Sequence, residues 1–193
     1  MTASLAACRA SAPWWLRGFA AAACVVATAL VPAFGQSSGA VTERGVKAAF
    51  VYKFLGYVEW PQPQADAPIV VGVVGADDLA NDLADVVRGR TVGTRPVEVR
   101  RLRAGDPLTG LHALYIGAAD KARLGSLARA ALQRSILVVT ESSDALDQGS
   151  VINLIVVDGH VRFEVSLDSA ERAGLKVSSR LLAVAHLVRM GNN

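Results

Sequence analysis

The six residues from Ile69 to Val74 are all aliphatic except for one glycine, and the run ends at Gly75. Apolar residues at every position, without alternation, are typical of a strand covered on both faces of its sheet. Asp77 and Asp78 then begin an amphipathic helical pattern, with acid in the first turn, where the helix dipole favours it. A buried strand, a tight turn and a helix in succession are typical of an α/β protein with a parallel sheet.

The same alternation continues along the chain. Strand patterns are predicted at 97–102, 112–116 and 136–140, and helical patterns at 43–60, 77–87 and 119–132. Near the C-terminus, two apolar segments flank Asp158-Gly159, a strong signal for a β-hairpin. Helices are expected at 168–173 and from Ser178 to Met190, with Ser178-Ser179 as a helix cap. We therefore predict a single-domain α/β fold with a mostly parallel sheet, helices on both faces, a C-terminal β-hairpin and terminal helices.

The first 35 residues have the composition of a secretory signal peptide. Arg9 and Arg17 precede an apolar run from Phe19 to Val31, and small residues at Ala33 and Gly35 fit a cleavage site. The run of 13 residues is shorter than the roughly 20 needed to cross a bilayer. We predict a signal peptide at 1–35, a tether at 36–42 and a domain at 43–190, hence a periplasmic protein without membrane insertion after cleavage.

Removing that segment changes the composition that matters. Both cysteines lie within residues 1–35, so the mature chain can form neither a disulfide nor a thiolate metal site. It keeps 18 basic and 17 acidic residues, a net charge of +1, which gives no indication of nucleic-acid binding. No serine lies in a G-x-S-x-G setting, and the three histidines are too far apart for a metal motif. We expect no enzyme activity, cofactor or metal.

Three groups of residues are candidates for binding. Tyr52 and Trp60 belong to a cluster of five aromatic residues within positions 50–60, and Tyr52 falls off the apolar face of the helix, so both are candidates for a partner surface. Arg162 and Glu164 alternate with apolar residues and lie on the opposite face of a strand. They are candidates for a partner contact, with a cross-strand ion pair as the alternative.

The third group consists of Asp77 and Asp78, which follow a parallel strand at the edge where α/β proteins bind ligands. They are possible ligand contacts in a small-ligand carrier or sensor, with helix capping as the alternative. The preceding Gly72-Val-Val-Gly75 fits neither a dinucleotide fingerprint nor a P-loop.

Several long motifs resemble one family. The segments Val46-Lys-Ala-Ala-Phe-Val-Tyr-Lys-Phe-Leu-Gly-Tyr-Val-Glu-Trp-Pro61 and Val161-Arg-Phe-Glu-Val, followed by Ala173-Gly-Leu-Lys-Val-Ser-Ser-Arg-Leu-Leu182, are similar to those of the YfiR family. The resemblance implies a periplasmic, non-enzymatic α/β protein that forms a homodimer. It also implies binding to the periplasmic sensory domain of an inner-membrane diguanylate cyclase, which is thereby repressed, with consequences for cyclic di-GMP and biofilm formation.

This sequence departs from the family at the cysteines. Members commonly carry cysteines where this chain has Gly72, Leu111-His112 and Asp147-Gln148-Gly149. Control by thiol oxidation is therefore not expected here. The alternative to cyclase repression is a periplasmic small-ligand sensor or carrier that acts with another membrane sensor or receptor.

Overall fold

The computed structural model describes residues 42–61, 67–103 and 105–191, which belong to one compact unit. The predicted signal peptide, and the predicted tether up to residue 41, lie outside the described residues. No helix in the described part of the chain has the length and apolar character needed to cross a bilayer.

Five α-helices and ten strands make up the described chain. The helices are α1 Glu43–Leu55, α2 Asp77–Val87, α3 Leu124–Leu132, α4 Leu167–Arg172 and α5 Ser179–Leu182, with a 3₁₀ helix Ala118–Arg123 before α3. The strands are β1 Val58–Glu59, β2 Ile69–Val74, β3 Thr91–Val92, β4 Arg95–Leu102, β5 Ala113–Ile116, β6 Leu137–Thr140, β7 Ile152–Val157, β8 His160–Ser166, β9 Lys176–Val177 and β10 Leu187–Arg189.

Eight strands form one sheet in the order β10-β8-β7-β6-β5-β2-β4-β3. The five strands from β7 to β4 are parallel, and antiparallel pairs lie at β3–β4 and β7–β8. From β2 the chain first moves outward to β4 and then returns to β5 on the other side of β2. The carboxyl ends of β2 and β5 are therefore the point where the direction of winding reverses, the place where such folds commonly bind ligands.

Both faces of the sheet are covered, as predicted. One face packs against α1 and α2 through Val71, Val73 and Tyr115, and the other packs against α3 through Val74 and Leu114. All six residues of β2 are buried, which explains why its sequence is apolar at every position rather than alternating. The predicted α/β fold class, with a mostly parallel and doubly covered sheet, is confirmed.

The predicted hairpin is also present. β7 and β8 pair antiparallel from Ile152–Val165 to Val157–His160, and the turn consists of Asp158 and Gly159. Both turn residues have positive φ angles, of 50° and 73°. Asp-Gly is favoured in this turn because aspartate tolerates that conformation and glycine adopts it freely.

The final helix predicted from Ser178 to Met190 is wrong. Only α5 forms, capped as expected by the Ser178 hydroxyl, which accepts a hydrogen bond from the Arg180 amide. The chain then extends into β10, which pairs parallel with β8. A short terminal helix is marginal on its own, whereas β10 satisfies the outer backbone groups of β8.

The first helix also ends earlier than predicted. It stops at Leu55 instead of continuing to Trp60, and Gly56 follows as its C-terminal cap. Val58 and Glu59 then pair with Val177 and Lys176 in a separate two-stranded sheet. Glycine at a helix end favours such a break because it has no side chain to stabilise a further turn.

Candidate functional site

The carboxyl end of the parallel sheet is built from the loops that follow β2, β5 and β6. Gly75 has a positive φ of 67°, and its α-carbon lies against Asp120, so a β-carbon there would stand 2.7 Å from a carboxylate oxygen. A β-carbon on Gly117 would stand 2.3 Å from the Gly75 carbonyl oxygen. The loops after β2 and β5 are thus in direct contact, and a cleft lies on either side of that contact. One, of about 350 Å³, is bordered by Lys47, Glu141 and Asp78, and the other, of about 880 Å³, is bordered by Asp77, Arg101 and Arg103.

A charged cluster closes the same end on the side of α1. The Lys47 ammonium lies 2.8 Å from Glu141, which follows β6, and 2.6 Å from Glu43. Glu141 also accepts a hydrogen bond of 3.3 Å from the Ala118 amide. Burial opposes the charge on Lys47, but the hydrogen bonds to both carboxylates outweigh it and raise the pKa of the ammonium. Lys47 therefore stays charged and joins α1 to the ends of β5 and β6.

Tyr115 lies beneath this cluster, and its side chain is fully buried. Its hydroxyl lies near the Glu141 carboxylate without meeting hydrogen-bond geometry with any described residue. Burial raises the pKa of the phenol far above its ordinary value, and the negative charge of Glu141 adds to that effect. The hydroxyl therefore remains protonated, and no proton transfer from Tyr115 follows from this arrangement.

The amino end of the sheet carries a second polar group, centred on His112. The His112 Nδ1 atom lies 3.2 Å from the Val70 amide, and its Nε2 atom lies 2.8 Å from the Arg95 guanidinium. Burial, together with the positive charge of Arg95, lowers the pKa of the imidazole. Both ring nitrogens face hydrogen-bond donors. A protonated imidazole would have no ring nitrogen left to accept a hydrogen bond from either of them. His112 is thus held neutral as part of the scaffold.

Trp60 covers this group. Its indole nitrogen donates a hydrogen bond of 2.9 Å to the His112 carbonyl oxygen, and the two rings meet edge to face at 5.9 Å. The indole borders a cleft of about 390 Å³, and the remaining lining residues are Pro61, Gly110, Leu111, His112, Gln133, Arg134 and Ser135. Trp60 is half-buried, so one side of the ring belongs to the fold and the other is available at the cleft.

The structure does not bring the predicted site residues together. Tyr52 is half-buried on α1, donates a hydrogen bond of 2.9 Å to the Thr91 carbonyl oxygen, and lies 5.8 Å from the Arg90 guanidinium. Trp60, by contrast, is attached to the residue before β5. Both side chains make contacts inside the fold while keeping part of their surface exposed. Their role at a partner surface stays a prediction.

Arg162 and Glu164 lie on β8, the second strand from one edge of the eight-stranded sheet. Arg162 is exposed. Glu164 is half-buried, and its carboxylate accepts a hydrogen bond of 3.3 Å from the side-chain nitrogen Nδ2 of Asn153. Within the described residues neither side chain forms an ion pair. The alternative of a cross-strand ion pair is therefore wrong, because the residue opposite Arg162 on β7 is Ile155.

Asp77 and Asp78 are exposed in the first turn of α2. The capping alternative is wrong. Ala76 occupies the N-cap position, and no side chain within the described residues forms a capping hydrogen bond with the first turn of the helix. Asp78 instead forms an ion pair of 3.4 Å with Arg44 of α1, which also binds Asp82 at 2.7 Å. Both aspartates interact favourably with the positive end of the α2 dipole, and Asp78 also links α2 to α1 through Arg44.

Sequence reasoning missed the Lys47–Glu141 pair and the His112–Arg95 pair. Their members are 94 and 17 residues apart, and no motif relates them. Lys47 sits in an otherwise apolar helical stretch, the one visible signal that its charge needs an internal partner. Over 42–61, 67–103 and 105–191, no group of three or more metal-binding side chains comes together.

A family model described as YfiR/HmsC-like matches residues 44–186. This match covers α1 from its second residue, seven of the eight strands of the main sheet, and both polar groups described above except Glu43. The chain belongs to the YfiR/HmsC-like family. Members of this family are periplasmic proteins that regulate diguanylate cyclases and are not known as enzymes.

One solved structure supports the fold. A conserved domain protein from Vibrio cholerae is similar with a TM-score of 0.52 at 12% identity, over 77% of this chain and 60% of that one. An ABC domain from Streptococcus pneumonia, solved with L-Trp, has a TM-score of 0.49 at 7% identity, over 62% of this chain and 55% of that one. This YfiR/HmsC-like chain thus spans little more than half the length of either protein, and the first likeness supports the α/β fold alone.

Proposed function

We propose that this chain represses an inner-membrane diguanylate cyclase by binding the periplasmic sensory domain of that enzyme. The observation that carries the proposal is the YfiR/HmsC-like match over residues 44–186. Residues 1–35 act as a cleavable signal peptide, 36–42 as a tether, and 43–190 as the binding domain, which functions as a homodimer. Loss of repression raises cyclic di-GMP and favours biofilm formation.

The alternative function, a periplasmic small-ligand sensor or carrier, has its expected binding place at the carboxyl end of the sheet. At the carboxyl end, where α/β proteins commonly bind small ligands, Gly117 lies against the Gly75 carbonyl, and Lys47 forms ion pairs with Glu43 and Glu141. These groups are engaged with one another. The clefts of about 350 and 880 Å³ beside these contacts offer a place for a small ligand. A thermal-shift screen of the mature chain with nucleotides and amino acids tests this alternative, and no ligand-dependent shift would leave only the protein partner.

The exposed parts of the predicted partner residues supply contacts for the sensory domain. Trp60 presents one side of its indole at the cleft at the amino end, and half-buried aromatic side chains are frequent anchors of protein interfaces. Arg162 is exposed on β8 and is available for a carboxylate of the partner. Glu164 and Tyr52 lie beside hydrogen bonds that hold their positions.

The proposal is tested with the mature chain, residues 36–193, immobilised and exposed to solubilised inner membranes. We expect it to retain a sensor protein that contains a diguanylate cyclase domain. Alanine variants of Trp60 and Tyr52 should keep the wild-type circular dichroism spectrum and lose this retention, whereas Tyr57→Ala, an exposed aromatic control, should retain the sensor.

Two results would contradict the proposal. Retention of no membrane sensor by the wild-type chain removes the function itself. Unfolding of the Trp60 and Tyr52 variants, with retention unchanged in folded conservative variants such as Trp60→Phe, assigns these residues to the core. Sedimentation of the mature chain at micromolar concentration tests the homodimer separately.

A further inference from the structure

Positive charge is concentrated in one short segment of this nearly neutral domain. Residues 88–103 contain six arginines and a single acidic residue, Glu98, while the rest of residues 36–193 has 12 basic and 16 acidic residues. The segment covers β3 and β4, which form one edge of the eight-stranded sheet. The domain is therefore strongly polarised, with a cationic sheet edge on an otherwise acidic body.

The fold does not neutralise the arginines at the end of β4. Arg101 donates to the Asn81 side-chain oxygen, and Arg100 lies 3.5 Å from the Thr109 carbonyl oxygen. Within the described residues, the only carboxylate within 4 Å of the six guanidinium groups is that of Asp85, which pairs with Arg88. Arg100, Arg101 and Arg103 are all exposed and retain their full charge toward solvent.

The backbone of β4 is open on the same side. Residues 97–102 pair with β2 on one side, whereas β3 reaches only Arg95 and Pro96 on the other. No other backbone hydrogen bond of the described chain involves residues 97–102. The outer edge of β4 thus presents the backbone groups of alternate residues within 97–102, which can pair with an added strand, the mode called β-augmentation.

Charges on an edge strand also discourage aggregation. Here three arginines follow one another within four positions, and they project to both faces of the strand because side chains alternate. The large apolar side chains that are exposed in the described chain are Tyr57, Val156, Val184, Leu187 and Met190, all outside residues 88–103. The edge therefore lacks the apolar anchor that an interfacial membrane contact uses.

We propose that the outer edge of β4 binds an acidic, extended segment of a partner protein. The segment adds a strand beside residues 97–102 and places carboxylates against Arg100 on one face and against Arg101 and Arg103 on the other. The proposal rests on the function proposed above, in which the partner is the periplasmic sensory domain of a diguanylate cyclase. It predicts an acidic strand-forming segment in that domain.

The test uses the mature chain and the sensory domain retained in the capture experiment. The edge variant is Arg100→Glu/Arg101→Glu/Arg103→Glu, and the matched control, with the same change in charge, is Arg129→Glu/Lys176→Glu/Arg180→Glu at exposed positions on other elements. We expect the edge variant to bind the sensory domain at least about tenfold more weakly and the control to change by less than about twofold. Hydrogen exchange at residues 97–102 should slow when the wild-type complex forms.

The outcomes separate this proposal from the function. If the wild-type chain retains no sensory domain, the function fails and the edge proposal fails with it. If the wild type binds and the edge variant binds equally well, or no worse than the control, only the edge proposal is overturned. Unchanged hydrogen exchange at residues 97–102 overturns strand addition. Binding to phosphatidylglycerol vesicles that the edge variant loses, with sensor affinity unchanged, assigns the edge to the membrane instead.

Discussion

The two ends of the parallel sheet differ in how the protein uses them. At the carboxyl end, Gly75 and Gly117 are in contact and Lys47 ties α1 to Glu141. At the amino end, Trp60 and His112 border a cleft of about 390 Å³. The end where α/β proteins commonly bind ligands is here divided by a structural joint, with clefts of about 350 and 880 Å³ beside it. Both ends therefore carry clefts, and the carboxyl end differs in the close loop contact and the ion pairs that hold it together.

The largest expected effect comes from crowding the contact between the Gly75 and Gly117 loops at the carboxyl end. A β-carbon at residue 117 would meet the Gly75 carbonyl, a backbone atom that cannot move aside easily. We expect Gly117→Ala to lower the free energy of unfolding by about 3 kcal/mol. Urea unfolding of the mature chain measures this change.

The matched control lies at the amino end of the sheet. Gly110 has a φ of 77°, and a β-carbon added there would have no other atom within 4 Å. Gly110→Ala should therefore cost about 1 kcal/mol through its backbone conformation alone. Equal losses of stability for the two variants would show that the Gly75 and Gly117 loops are not in close contact.

Removing the Lys47 charge, which links α1 to Glu141 at the carboxyl end, should have the next largest effect on stability. Lys47→Met leaves Glu141, whose side chain is 18% exposed, without its cation, and we expect a loss of about 2 kcal/mol in the free energy of unfolding. The control Lys53→Met alters an exposed lysine of the same helix and should be nearly neutral. The double variant Lys47→Met/Glu141→Gln should recover part of the loss; no recovery would mean that Lys47 acts through packing alone.

The sequence is sufficient to predict the sheet and insufficient to predict these ends. The apolar run Ile69–Val74 and the Asp158-Gly159 turn predict a buried parallel strand and a hairpin because each depends on local residues. The Lys47–Glu141 pair depends on a fold that brings together residues 94 apart. The apolar spacing around β10 fits a helical period, but the pairing edge of β8 decides the conformation of that segment.

The smallest expected effect is a pH dependence at the amino end. The pKa of His112 is lowered in the fold, so the unfolded chain takes up a proton first as pH falls through 6.5, its ordinary pKa. Stability should therefore be complete above this value and decrease below it, until the folded-state pKa is reached.

This dependence can be followed by the fluorescence of Trp60, the only tryptophan of residues 36–193, during urea unfolding at a series of pH values. The variant His112→Gln should lose less stability between neutral and mildly acidic pH than the wild type. A variant profile that falls as steeply as the wild-type profile would assign the pH dependence to carboxylates elsewhere.

The most direct test of the proposed repression is the cellular concentration of cyclic di-GMP in a strain that lacks this chain. We predict that the concentration rises in the deletion strain and returns to its original level when the wild-type chain is supplied with its signal peptide. An unchanged concentration after deletion would contradict repression of a diguanylate cyclase.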